Sequence, residues 1–233
     1  MKPTGGFAIA CVFCLALLGM SSVQADVYWN GTVSNDWTNP SNWTGGLPSN
    51  GGTVVLNPGS PYTAVVSTSG NTTTGQIYVS TGGGLNMVAG GALSTSDLIT
   101  GNWGNSGGTI VTGGLLTMSG YLNLGAGGYD GKIDISGGIV ESASLSINAS
   151  GGAAMNISGN GKYITSINNL NDVNYWVNNN IIKANNGAAG WSINVNTTTD
   201  PNKVILTAVP EPATIALAAI GAAAVALRRL RKR

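Results

Sequence analysis

The sequence predicts an all-β protein, a right-handed parallel β-helix (β-solenoid) with short capping regions, and three observations lead to this prediction. Glycine accounts for 36 of the 233 residues and only 8% of residues are charged, a composition that suits an extracellular protein with many tight turns. Ile, Leu and Val recur in short runs that alternate with polar residues, which is the period of β-strands and opposes disorder. A glycine-marked segment also recurs along the middle of the chain.

The recurring segments read NMVAGGALS, TIVTGGLLT, IDISGGIVE and MNISGNGKY, with marker glycines at Gly90, Gly113, Gly137 and Gly159. These glycines are spaced 23, 24 and 22 residues apart. A repeat of this length holds two or three short strands, too few to bury a core, so stacked repeats must supply a parallel partner and a shared interior. We therefore predict solenoid repeats over residues 57–165. The alternative is an antiparallel sandwich with Gly-rich hairpins.

The flanks of the repeats read as caps, because an uncovered solenoid end exposes sheet edges that aggregate. Residues 26–56 form a predicted N-terminal cap in which Trp29, Trp37 and Trp43 plug the end of the core. The alternative is that these three tryptophans form a platform that contacts glycans. Residues 166–208 form a predicted C-terminal cap, with a short helix within residues 167–178 followed by closing strands.

The first 25 residues have the pattern of a signal peptide. Lys2 precedes an apolar run from Phe7 to Met20, and a small-residue cleavage pattern ends at Ala25, which predicts a cut between Ala25 and Asp26. The two cysteines, Cys11 and Cys14, lie inside this segment. We therefore expect an exported mature chain that has no disulfide.

The side-chain inventory excludes several kinds of chemistry. The chain has no histidine, which excludes Ser-His-Asp nucleophiles and histidine-ligated zinc. Asp130, Asp134 and Glu141 lie in adjacent repeat segments and are candidates for the carboxylate pair of a polysaccharide-cleaving β-helix enzyme. The preferred interpretation is that they are solvated surface groups. We expect no enzymatic activity, no cofactor and no metal.

Charge is segregated along the chain. Between Asp26 and Val209 there are four lysines and eight carboxylates, a net charge of −4. The absence of a basic stripe on this part of the chain argues against nucleic acid as a partner. Five of the ten basic residues lie in the last six positions, at Arg228, Arg229, Arg231, Lys232 and Arg233.

The C-terminal segment predicts a single transmembrane helix followed by a basic stop-transfer tail. Ala213 to Leu227 are uncharged, and as a helix they would span about 22 Å, shorter than the ~30 Å hydrocarbon core of a membrane. The basic residues after the helix stay on the cytoplasmic side by the positive-inside rule. The alternative is a plain, weak tail anchor.

The segment 209–233 resembles the PEP-CTERM protein-sorting domain, because Val209-Pro210-Glu211-Pro212 precede the apolar helix and the basic cluster. The resemblance implies that an exosortase, a membrane-embedded cysteine protease or transpeptidase of exopolysaccharide-producing bacteria, recognises the tail. It also implies transient attachment to the inner membrane and later transfer to the cell surface or matrix. We expect the two prolines to keep the motif extended and its backbone accessible.

The body resembles, more loosely, the Gly-rich β-helical repeats of autotransporter-like surface proteins, which often open with a pattern like that from Trp37 through Asn42-Trp43 to Pro48. Together these features predict an exported, non-catalytic surface or matrix protein with a structural or adhesive role in an exopolysaccharide biofilm. The expected partners are the exosortase, the membrane and exopolysaccharide. Two alternatives stay open: a carbohydrate-binding module that uses aromatic residues, and a polysaccharide-degrading enzyme that uses a carboxylate pair.

Overall fold

The computed structural model describes residues 25–48, 52–56, 59–73, 75–80, 83–102 and 107–212. Within these ranges the chain is mostly β-sheet, which confirms the predicted all-β class. The α-helix that lies wholly within these ranges is α1 (Leu170–Asn178), and Pro212, the last described residue, is also helical. The strands are β1 (Val27–Trp29), β2 (Trp43–Thr44), β3 (Val54–Leu56), β4 (Ala64–Val66), β5 (Asn71–Thr72), β6 (Gln76–Val79), β7 (Gly84–Met87), β8 (Ala92–Thr95), β9 (Asp97–Thr100), β10 (Gly107–Leu124), β11 (Gly131–Ile147), β12 (Ala154–Ile157), β13 (Lys162–Ser166), β14 (Ile182–Ala184), β15 (Trp191–Asn196) and β16 (Lys203–Pro210).

The strands of the body pair in three parallel ladders. The first ladder joins β1, β3, β6 and β9 to the last residues of β10 and β11. The second ladder joins β4 and β7 to the first residues of β10 and β11, then β12 and β14. The third ladder joins β5 and β8 to the middle of β10 and β11, then β13. Each pass of the chain through the middle of the body therefore contributes one strand to each ladder.

The core lies between the ladders, where one side of every strand faces inward. On the second ladder the paired positions Val66, Met87, Val111, Ile135 and Ile157 form a column in which every side chain has no exposed surface. Full burial of a side chain of this size stabilises the fold by about 1.5–3 kcal/mol. The alternation of apolar and polar residues in the sequence thus corresponds to inward and outward positions on stacked strands.

The bend between the second and third ladders explains the spacing of the marker glycines. The residues that follow the first three marker glycines, Gly91, Gly114 and Gly138, occupy matching positions on successive passes of the chain. Each lies one residue before the stretch that pairs in the third ladder. Gly114 has a φ of +77°, and a Cβ there would lie 2.7 Å from the carbonyl oxygen of Val88. Because each bend stacks on the previous one without room for a side chain, glycine recurs with every repeat.

The two ends of the body are closed differently. At the N-terminal end β2 pairs antiparallel with β1 and brings Trp43 against Trp29. At the C-terminal end α1 buries Val173 and Trp176, while β16 pairs antiparallel with β13 and β15. β1 and β3, inside the predicted N-terminal cap, already belong to the first ladder.

The described residues contain no helix that is both long and apolar enough to cross a membrane. The predicted transmembrane segment at residues 213–227 and the basic tail from Arg228 lie outside the described residues. The predicted signal peptide lies outside them as well, except for Ala25 at the expected cleavage point.

Candidate functional site

The candidate sorting motif begins inside the last strand of the body. β16 runs from Lys203 to Pro210, so Val209 and Pro210 are strand residues. On one side β16 pairs with β13 as far as Thr207, and on the other side it pairs with β15 as far as Pro210. After Thr207, β15 is therefore the one strand among the described residues that pairs with β16.

The pairing of the motif with β15 alternates in the usual antiparallel manner. The backbone N–H of Glu211 donates to the carbonyl oxygen of Gly190 at 2.9 Å, so these residues form a hydrogen-bonded pair. Trp191 and Pro210 then form a non-hydrogen-bonded pair, and Ser192 and Val209 form the next hydrogen-bonded pair. Pro210 loses no bond to β15, because at its position the backbone nitrogen points away from that strand.

The four motif residues differ in their exposure. Val209 and Pro210 are half-buried, whereas Glu211 and Pro212 are exposed. The sequence correctly predicts an extended backbone at the start of the motif. The expected accessibility of that backbone does not hold for Val209 and Glu211, because Ser192 and Gly190 occupy their backbone groups.

A groove of about 340 Å³ lies beside this strand pair. Its apolar walls include Val177 of α1, Ile182 of β14, and Trp191 and Ile193 of β15. Glu211 lies at its edge and is the one charged side chain among the described residues that line it. The motif therefore borders this groove at Glu211.

A second groove, of about 370 Å³, lies on the outward side of the second ladder. Gly84, Gly108 and Lys132 are paired positions on successive strands, and the two glycines leave a trough where side chains would otherwise stand. The neighbouring outward row contains Ile110 and Asp134, which line one side of the trough. The volume falls within the range of small-ligand sites, about 300–1,000 Å³.

The polar groups of this second groove are incompletely paired. Lys132 Nζ lies 2.8 Å from Asp130 Oδ2, and Asn156 Nδ2 donates to Asp134 Oδ1 at 3.0 Å. Asp130 Oδ1 is buried and has no hydrogen-bond partner. A buried acceptor without a donor costs about 1–3 kcal/mol of stability.

The three candidate carboxylates are divided between two faces. Asp130 and Asp134 line the second groove, whereas Glu141 lies on the third ladder and accepts a hydrogen bond from Lys203 of β16. This hydrogen bond with Glu141 raises the pKa of Lys203. Glu141 thus joins the body to the last strand and takes no part in the groove.

The three N-terminal tryptophans lie in the core. Trp29, Trp37 and Trp43 are 2%, 3% and 5% exposed, and Trp43 packs edge-on against each of the others with ring centroids 4.9 and 4.8 Å away. Trp29 Nε1 donates to the carbonyl oxygen of Tyr62 at 2.7 Å, and Trp43 Nε1 donates to that of Trp37 at 2.8 Å. This arrangement favours a plug over a glycan platform.

Sequence reasoning missed a polar network on the outward side of the first ladder. The Tyr78 hydroxyl donates to Gln76 Oε1 at 2.7 Å, and Gln76 Nε2 donates to Asp97 Oδ2 at 3.0 Å. Asp97 Oδ1 accepts from the backbone N–H of Tyr121 at 2.7 Å. Burial, followed by the charge of Asp97, raises the pKa of Tyr78. The signal was available in the alternation of residues 76–79, which predicts that Gln76 and Tyr78 share the outward side of a strand.

No group of three or more carboxylates, cysteines or histidines is placed to hold a metal ion in the described part of the chain.

The comparison with known families decides which of these regions has an assigned role. A family model of the PEP-CTERM protein-sorting motif matches residues 208–232. The chain carries a PEP-CTERM sorting motif. The match begins at Ala208, inside β16, so the PEP-CTERM motif and the folded body share a strand. Neither a curated protein nor a solved structure matches the chain. The PEP-CTERM motif supports export by way of a sorting system.

Proposed function

We propose that this protein is a non-catalytic cell-surface or matrix protein that an exosortase-type enzyme processes at its PEP-CTERM motif. The observation that carries the proposal is the match over residues 208–232, which starts in the last strand of the body. In this proposal the tail after Pro212 attaches the protein transiently to the inner membrane. Processing then releases the body to the outside with its fold complete.

The proposed body is a right-handed parallel β-helix with a structural or adhesive role. The three parallel ladders support a helical path of the chain. The proposed hand follows from the general rule that crossover connections between parallel strands are right-handed in almost all proteins. Such a body presents long outward rows of side chains, which suits contact with an extended polymer such as exopolysaccharide.

The sorting proposal is tested by intact mass and C-terminal peptide mapping of the protein recovered from its native envelope and matrix. We expect a shortened C-terminus and a body located outside the inner membrane. The variant E211A/P212A changes two exposed residues and should remain full length in the inner membrane. D172A, an exposed change on α1, is the matched control. A wild-type protein that ends at Arg233 and stays in the inner membrane overturns the proposal.

A second candidate function is glycan binding in the trough between Gly84, Gly108 and Lys132. The observation that favours it is that the charged residues Asp130, Lys132 and Asp134 line this trough beside the exposed Ile110. Charged side chains of this kind hydrogen-bond sugar hydroxyls, and the exposed side of Ile110 matches the apolar face of a sugar ring. In this proposal the groove binds a hydroxyl-rich polysaccharide without cleaving it.

The glycan proposal is tested with the protein's native exopolysaccharide in a pull-down. Gly108 has open space around its Cα, so G108V should fold normally and fill the trough, and binding should be lost. S94A, an exposed change on the third ladder, is the control that should leave binding intact. Retained binding by G108V overturns this site, and release of reducing ends from the polysaccharide overturns the non-catalytic assignment.

A further inference from the structure

We propose that strand β15 covers the sorting motif, so that the processing enzyme engages the motif only after residues 209–211 separate from residues 190–192. The inference rests on the proposed sorting function and adds a conformational step before processing. Its basis is the register of β15 and β16, which places Gly190, Trp191 and Ser192 opposite the first three residues of the motif.

The first step concerns the backbone. An enzyme that reads a linear motif commonly binds it as an added strand, which requires free N–H and C=O groups along one edge. At Val209 and Glu211 these groups point toward β15, because both residues are in hydrogen-bonded positions. The edge of the motif that carries its N–H donors is therefore already occupied.

The second step concerns the opposite edge of β16. After Thr207 this edge has no strand partner among the described residues, since β13 begins at Lys162 opposite Thr207. At this edge the backbone groups of Pro210 point outward, and proline has no N–H to donate. An incoming strand therefore finds no donor at the centre of the motif. Because the N–H groups of Val209 and Glu211 point to β15 and the two prolines have none, the free edge offers no N–H donor between Val209 and Pro212.

The third step concerns the side chain of Pro210. Pro210 stands directly opposite Trp191 in a non-hydrogen-bonded pair, the arrangement in which facing side chains are closest. Pro210 is half-buried in this position. An enzyme that distinguishes this proline from other residues must reach its ring, which requires that the ring leave Trp191.

The structure also limits how far the separation extends. Leu206 and Val204 of β16 have no exposed surface and pair with Tyr163 and Thr165 of β13. Val209 and Pro210, in contrast, have a strand partner on one side and incomplete burial. Local opening takes place where buried contacts are few. The strand therefore opens from its C-terminal end and stops near Thr207, which leaves the body folded.

The test is a disulfide that locks β16 to β15 just before the motif. Ile193 and Ala208 form a non-hydrogen-bonded pair, for which the Cα separation of about 4.5 Å lies within disulfide range. Both side chains pack partly buried on the core side. The double variant I193C/A208C leaves residues 209–212 unchanged. Wild-type cysteines are confined to the first 14 residues, inside the predicted signal peptide.

The matched control locks the same strand on its other side. Lys162 and Thr207 form a non-hydrogen-bonded pair between β13 and β16, so K162C/T207C adds a disulfide next to the first one without restraining β15. The wild type and both variants are prepared in an oxidised and in a reduced form. Each form is then incubated with envelope membranes that process the wild type. The control also reports any effect of oxidising conditions on the processing enzyme itself.

The expected result is that oxidised I193C/A208C is not processed, while reduced I193C/A208C and oxidised K162C/T207C are processed like the wild type. Normal processing of oxidised I193C/A208C overturns the inference and leaves the proposed sorting function standing. Absence of processing of the wild type in native envelopes overturns the sorting function, and the inference with it. The two failures are therefore distinguishable.

Discussion

In the middle of the body each strand pairs with a neighbour on both sides, whereas the end of β16 pairs with a neighbour on one side. Leu122 pairs with Leu98 before it and Leu145 after it and has no exposed surface. Val209 pairs with Ser192 and is half-buried. We therefore expect the backbone ladder to be permanent in the first region and reversible in the second. Under the proposed function, the sorting motif lies where opening leaves the core intact.

The largest effect on stability is expected when one tryptophan is removed at each end of the body, which tests whether the two ends differ in packing. W43A removes a buried ring that packs on Trp29 and Trp37, and we expect a loss of about 3–5 kcal/mol in the free energy of unfolding. W191A removes a half-buried ring from a single cross-strand pair, and we expect a loss of about 1 kcal/mol or less. Urea unfolding of the purified protein measures both. Equal losses would contradict the distinction between the two ends.

A second test concerns the stacked bends of the body. G114A forces a side chain into a left-handed conformation against the preceding bend, and we expect it to cost about 1–3 kcal/mol of stability. G108A, six residues earlier, has open space and no left-handed φ, so it should be neutral or stabilise by about 0.4–1 kcal/mol. The difference between their urea midpoints measures the cost of placing a side chain at the bend. A G114A protein as stable as G108A would refute this explanation of the glycine spacing.

The smallest effect on stability is expected at Tyr163, on the strand where the parallel ladders meet β16. Its hydroxyl lies 2.6 Å from Ser142 Oγ in the core, so Y163F should cost about 0.5–1.5 kcal/mol at neutral pH. Y175F, an exposed change on α1, should cost nothing measurable in the same urea unfolding experiment.

The same residue gives a pH dependence. Burial raises the pKa of the Tyr163 phenol well above its usual value. The folded state therefore holds this proton at pH values where the unfolded state has lost it. Stability from this residue is fully present below the ordinary tyrosine pKa of about 10 and declines as pH rises above it. Urea unfolding at increasing pH should show a shallower decline for Y163F than for the wild type. An unchanged slope would contradict this assignment.

Several properties followed from local sequence patterns. Alternating apolar residues and glycines at a regular spacing predicted the all-β class, because strand alternation and tight bends impose those patterns directly. The PEP-CTERM motif was recognisable from a short run of residues because a sorting signal acts through its linear sequence. The absence of histidine from the chain excluded whole classes of catalysis on composition alone.

Other properties depended on which distant residues became neighbours. The sequence grouped Glu141 with Asp130 and Asp134, but the bend at Gly138 turns Glu141 onto another face, where it meets Lys203. The trough at Gly108 exists because Gly84 occupies the paired position one pass earlier. Neither the contact of Glu141 with Lys203 nor the pairing of Gly84 with Gly108 can be read from nearby residues. Both depend on the register between strands more than twenty residues apart in the sequence.

The sequence by itself determined the all-β class, the length of the repeat and the sorting motif in the tail. It also determined which kinds of catalytic chemistry are excluded. Each depends on the identity and spacing of nearby residues. The tertiary structure alone decided that the sorting motif begins inside a paired strand. There Trp191 lies opposite Pro210, and the carbonyl oxygen of Gly190 accepts a hydrogen bond from the backbone N–H of Glu211. The physical reason is that the register of β15 and β16 depends on the loop between them and on which side chains pack against the core. The accessibility of a linear motif is therefore a property of the folded body.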